Sequence, residues 1–98
     1  MEQKEVKLHD EVFYARNKLT GARILHYGAA MGRGGTGLYS ACEDFFAEVF
    51  DAEEHARFDA FINSPDREIK LNDLFVAFDA LIAEYMRDET RPTQPPAP

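Results

Sequence analysis

Phe45-Phe46-Ala47-Glu48-Val49-Phe50-Asp51-Ala52-Glu53-Glu54-His55-Ala56-Arg57-Phe58-Asp59-Ala60-Phe61-Ile62 holds five of the chain's eight phenylalanines. It reads as the end of one amphipathic helix, a capped break, and a second, shorter helix. At 100° per residue, Leu38, Tyr39, Cys42, Phe45, Phe46, Val49 and Phe50 fall within an arc of about 140°, with Glu43, Asp44 and Glu48 outside it. Asp51-Ala52-Glu53-Glu54 matches a capping box: Asp51 accepts from the N3 amide, and the Glu54 side chain reaches back. The chain therefore turns at Phe50–Asp51 and starts a new helix with Phe58, Phe61 and Ile62 on one side. Asn63-Ser64-Pro65 closes that helix, because a residue before proline is pushed out of the helical region.

Downstream, Leu71, Leu74, Phe75, Phe78, Leu81, Ile82, Tyr85 and Met86 fill an arc of about 140° on a last helix. Asp73, Glu84, Arg87 and Asp88 take the other side, Asp79 lies at the border, and Val76 is the apolar residue out of place. Four prolines between Arg91 and Pro98 predict an extended, mobile tail.

Upstream, Thr36 is the expected cap of the helix that ends at Phe50. Before it, Gly32-Arg33-Gly34-Gly35-Thr36-Gly37 invites comparison with a phosphate cradle. A P-loop needs a Lys-Ser/Thr after its last glycine and a strand before its first. Neither is present, so the segment reads as a flexible connection between helices. Thr20 is the expected cap of a helix reaching Met31, with Ile24, Leu25 and Tyr27-Gly28 toward the interior. Gly28-Ala29-Ala30 there would permit close approach of a neighbouring helix.

Residues 5–15 alternate in two short runs, with Val6 and Leu8 on one face of the first and Val12 and Tyr14 on one face of the second. His9-Asp10 between them is a turn, so the segment reads as a β-hairpin. A hairpin alone is marginal in water and must lean on helices or on another chain's edge. The expected architecture is thus α+β and mostly α. An N-terminal β-hairpin precedes a small bundle of about four helices near 20–31, 37–50, 52–63 and 71–88. One domain spans 1–89, followed by a flexible Pro-rich tail over 90–98.

At 98 residues the chain has room for one domain. Its 45% hydrophobic content excludes disorder throughout. The net charge of −7 is unevenly spread. Residues 1–35 carry six Lys/Arg against four acids, and residues 36–98 carry five against fourteen. So acidic a C-terminal part argues against a nucleic-acid surface, which needs clustered Lys/Arg. It suits a basic or apolar protein partner, or a solvated face that keeps a small protein soluble. The single cysteine, Cys42, reads as a small buried hydrophobe in a reducing compartment. The charged start, Met1-Glu2-Gln3-Lys4-Glu5, predicts no secretory leader, and no apolar run approaches membrane-spanning length. A cytoplasmic protein is expected.

No nucleophile elbow, Cys/His dyad, zinc spacing, calcium loop or paired carboxylates on one helix face can be found. His55, four residues before Asp59, is explained by an exposed ion pair. His9-Asp10 lacks the third group that a catalytic pair requires. A general acid or base needs burial or a close partner to shift its pKa, and no carboxylate is placed to obtain either. The expectation is a protein that is not an enzyme and uses no metal, cofactor or small-molecule substrate.

Four segments in order carry a resemblance: Leu38-Tyr39-Ser40-Ala41-Cys42-Glu43-Asp44-Phe45-Phe46, then Arg57 to Pro65, then Ile69-Lys70-Leu71-Asn72-Asp73-Leu74, then Tyr85 with Arg91-Pro92-Thr93-Gln94-Pro95-Pro96. In that order and spacing the chain resembles the tail assembly chaperones of siphophages that infect actinobacteria. A short hairpin, acidic helices and an Arg-Pro-Thr tail recur in that family. This chain differs in lacking the Ser- and Gly-rich continuation of the tail and in the glycine content of residues 32–37. The resemblance implies a non-catalytic chaperone in the host cytoplasm, oligomeric and absent from the mature virion. It would bind and solubilise the tape-measure protein and help recruit tail-tube subunits. A structural tail or connector component retained in the virion, or a small acidic regulatory protein, is the alternative. A holdase needs apolar or aromatic surface ringed by charge. Tyr39, Phe46 and Phe50 at one flank of their helix, with Val76 on the last helix, are the expected client or subunit interface.

Overall fold

The computed structural model describes residues 3–90, with side chains through Asp88. The tail expected over 90–98 lies, from residue 91 on, outside the described residues. Two strands, β1 (Lys4–Leu8) and β2 (Glu11–Ala15), form an antiparallel hairpin. Four helices follow: α1 (Gly21–Arg33), α2 (Thr36–Val49), α3 (Ala52–Ile62) and α4 (Leu71–Thr90). This is the expected hairpin-then-helices order.

The hairpin closes through the two-residue turn His9-Asp10, with His9 at φ 58°. A positive φ in a two-residue turn matches the twist of the strands it joins, and His tolerates it better than most side chains. Leu8 opposes Glu11, Val6 opposes Phe13, and Lys4 opposes Ala15. Directly opposed residues share a face, so Val6, Leu8, Phe13 and Ala15 form the buried one. The inward residues of β2 are thus Phe13 and Ala15, whereas Val12 and Tyr14 lie on the outer face. Phe13, the largest apolar side chain of β2, decides the phase by joining Val6 over the helices.

The connection expected over residues 32–37 contracts to Gly34-Gly35, at φ 67° and 72°. Both are in the region that favours glycine. The Gly34 amide closes α1 on the Ala30 carbonyl. Gly35, rather than Thr36, is the N-cap of α2, and no side chain caps it. Thr20 caps α1 as expected, its Oγ1 accepting from the Arg23 amide.

α4 packs against β1, α1 and α2 and presents Ala77, Phe78, Leu81, Ile82 and Tyr85 to the core. The residues between Phe45 and Ile62 join two aromatic groups. Phe45 meets Tyr27, Phe78 and Tyr85 between α1, α2 and α4. Phe50 and Phe58 meet Phe13 beneath the hairpin. Phe46 bridges them, with ring centroids 4.7 Å from Phe58 and 6.5 Å from Phe78. Each fully buried Phe contributes about 1.5–3 kcal/mol of burial free energy, so these rings dominate a small core.

Several inward expectations are corrected. Leu25 is 73% exposed. The inner stripe of α1 runs instead through Ile24, Tyr27 and Ala30, with Met31 packed beside them, and Leu25 lies 100° around the helix from Ile24. Gly28 admits no close neighbour, since a Cβ there would meet nothing within 4 Å. Leu71 and Met86, at the two ends of the α4 stripe, are also exposed: Leu71 borders an opening toward α2 and α3, and Met86 an opening toward α1.

Candidate surfaces and side-chain networks

Two of the four expected interface residues belong to the interior. Phe46 and Phe50 are 4% and 2% exposed, so neither ring forms a surface of the folded chain. The broad aromatic arc of α2 is covered on its Phe46–Phe50 flank by Phe58 of α3, the next helix, and by Phe13 of the hairpin. Tyr39 and Val76 do lie outside, at 52% and 58% exposure. Tyr39 stacks on Phe75, centroids 5.6 Å apart and planes 15° apart. That stack borders a small hollow of about 170 Å³ between α2, α3 and α4, which His55, Leu71 and Leu74 also line.

The larger apolar opening lies between α1 and α4. It is a groove of about 520 Å³ lined by Gly21, Ile24, Leu25, Gly28, Ala29 and Met31 from α1, and by Asp79, Ile82, Ala83 and Met86 from α4. Leu25 projects at its rim. Val76 shares a helix face with Asp79, Ala83 and Met86, at spacings of three, seven and ten residues, and so extends the apolar side of α4 alongside the groove. The opening takes its shape from the small residues of α1: Gly21, Gly28 and Ala29 leave a trough with Leu25 standing beside it. Asp79 is the charged residue of the lining. A wheel centred on Ile24, Tyr27 and Met31 leaves Leu25 outside the inner arc, and that is the signal that marks this face.

The polar side chains that the fold brings together act as fasteners. Arg23 donates to both carboxylate oxygens of Glu48, from Nε at 3.1 and 3.2 Å and from Nη2 at 2.9 Å, and Tyr27 donates to Glu48 Oε1 at 2.6 Å. Burial pushes the Glu48 carboxyl up, but the bonds from Arg23 and Tyr27 outweigh it and hold the group below the usual range. Burial and the bond to Glu48 raise the Tyr27 phenol. The trio clips α1 to the end of α2.

At the other end of the break, the Asp51 carboxylate accepts from the Glu54 amide at 2.8 Å, the expected half of a capping box. The Glu54 side chain does not reach back. It accepts from the Tyr14 amide at 2.7 Å and from Arg57. Arg57 in turn donates to the Val12 carbonyl and to Glu11. Together Glu54 and Arg57 occupy the outward amide and carbonyl of β2 and tie α3 to the hairpin.

His9 contacts Asp73, Nε2 to Oδ2 at 3.0 Å, and the same carboxylate accepts from the Lys70 amide at the start of α4. The pair pins the hairpin turn to that helix end. Burial first and Glu43 second push the Cys42 thiol up to about 11. Among the described residues no group of three or more His, Cys, Asp or Glu side chains is placed to hold a metal ion, and no helix is long and apolar enough to cross a membrane. Comparison of the chain with family models, curated proteins and solved structures finds no match.

Proposed function

We propose that this protein is a tail assembly chaperone of a siphophage, a non-catalytic cytoplasmic holdase for the tape-measure protein. The observation that carries the reading is the α1–α4 groove, with Leu25 largely exposed at its rim. The ordered segment resemblance supplies the client's identity. An amphipathic client helix would place an apolar side chain against Leu25, Ala29 and Ala83, an association of helix and groove that needs no covalent chemistry. The 36–98 segment, strongly acidic, keeps the loaded complex soluble by charge. In this reading Leu25 and Val76 belong to the client surface, Tyr39 forms a second contact, and Phe46 and Phe50 hold the helices that present them.

Co-expression with the tape-measure protein of the same phage tests the reading. The expected result is a client that moves from the pellet to the soluble fraction and co-elutes with this protein on gel filtration. A client equally insoluble with and without it would overturn the proposal. So would stoichiometric presence of this protein in purified virions.

A further inference from the structure

The two edges of the hairpin are treated differently. In its register the pairs Leu8/Glu11, Val6/Phe13 and Lys4/Ala15 exchange hydrogen bonds, and the pairs Lys7/Val12 and Glu5/Tyr14 point theirs outward. On β2 those outward groups are occupied, the Tyr14 amide by Glu54 and the Val12 carbonyl by Arg57. On β1 the corresponding groups belong to Glu5 and Lys7. Among the described residues nothing bonds them. An open cleft of about 580 Å³ runs along this edge, with Ala77 and Ala80 of α4 on its floor. Unprotected edges recruit other strands.

We propose that β1 pairs antiparallel with β1 of a second copy, in the register that places Val6 opposite Val6 of the other chain. Only residues with outward backbone groups can exchange bonds, so Glu5 and Lys7 must oppose Glu5 or Lys7. Pairing Glu5 with Glu5, or Lys7 with Lys7, sets like charges directly opposite. The Val6-centred register instead sets Glu5 against Lys7 twice, once on each side of the two-fold axis. Both side chains are exposed on the outer face, and their neighbours across the hairpin are the uncharged Tyr14 and Val12. Neither has an ion-pair partner among the described residues. The strand is thus complementary in charge to its own reverse, as an isologous contact requires. The product is a four-stranded sheet with no outward group of β1 left unpaired. This inference stands on the hairpin alone and does not depend on the identity of the client.

The test is oligomeric state by light scattering and sedimentation, on the full chain and two charge variants. Glu5→Lys and Lys7→Glu each convert both opposite-charge pairs into like-charge pairs, weakening the dimer about tenfold or more. Mixing the two variants restores opposite charges at both positions, so the mixture should dimerise more tightly than either variant alone. The double swap in one chain should dimerise as well. Amide exchange adds an independent readout: the Glu5 and Lys7 amides should be protected in the dimer and unprotected in either single variant, with circular dichroism unchanged. A native chain that is monomeric at all concentrations would overturn the proposal. A dimer indifferent to these substitutions would overturn it too, by assigning the contact to another face.

Discussion

Glu54 shows how one side chain can serve two elements. Its amide completes the Asp51 cap of α3, and its carboxylate holds the Tyr14 amide of β2. Replacing it by Gln removes a charge-assisted bond from the hairpin edge and should cost about 1–2 kcal/mol in urea unfolding. Bonding from Arg57 holds the Glu54 carboxyl below its ordinary value of 4.5, against a smaller opposing effect of burial. A depressed folded pKa contributes stability that is complete above 4.5 and is lost as pH falls through the folded value. Unfolding free energy of the native chain should therefore drop below that pH, and the drop should shrink in Glu54→Gln. The Asp51 cap was legible because its partner is three residues away. The bond to Tyr14 spans forty residues and no local pattern announces it. Cys42 was legible as a buried hydrophobe. With its thiol pushed up to about 11, it should react slowly with a thiol reagent at neutral pH and rapidly once urea exposes it.

Among the elements, α4 followed from apolar periodicity, since Phe78, Leu81, Ile82 and Tyr85 carry its inner face, and the α2–α3 break followed from the Asp51 cap. α1 is harder to read, because glycine and alanine leave much of its wheel without a preference, and Leu25 reads as inward in consequence. The phase of β2 was not legible from alternation alone: Phe13 packs with Phe58 and Phe61 of α3, contacts that a two-residue period does not specify. Two glycine substitutions separate helix interior from turn. Gly28→Ala places a Cβ in open space within α1 and should stabilise by about 0.5–1 kcal/mol. Gly34→Ala has the same room but a φ of 67°, so it should destabilise by about 1 kcal/mol. Thermal unfolding of the two variants in parallel measures the contrast. Phe50→Asp buries an unpaired carboxylate among Phe13, Phe46 and Phe58, and should abolish the folded circular dichroism signal.

At the scale of the whole molecule, an aromatic interior frees other residues to form the surface. Phe46 and Phe50 were expected at an interface because a wheel for one helix cannot show what a later helix will cover. Conversely, the α1–α4 groove joins segments that are distant in sequence, and it exists only once both have docked on the same core. The acidic balance of the chain beyond residue 35 was legible from composition, and among the described residues Asp79 is the one charged side chain that lines the groove. In the function proposed above, the groove and not the phenylalanine core holds the client. Leu25→Asp tests it most directly, because Leu25 is exposed and its replacement leaves the core intact. The measurement is the amount of tape-measure protein retained on the tagged variant after co-expression, beside circular dichroism of the variant alone. The expected result is a native spectrum and a loss of client of about tenfold or more, the scale expected when a charge replaces an anchoring apolar contact. A folded Leu25→Asp protein that retains as much client as the native chain would contradict it.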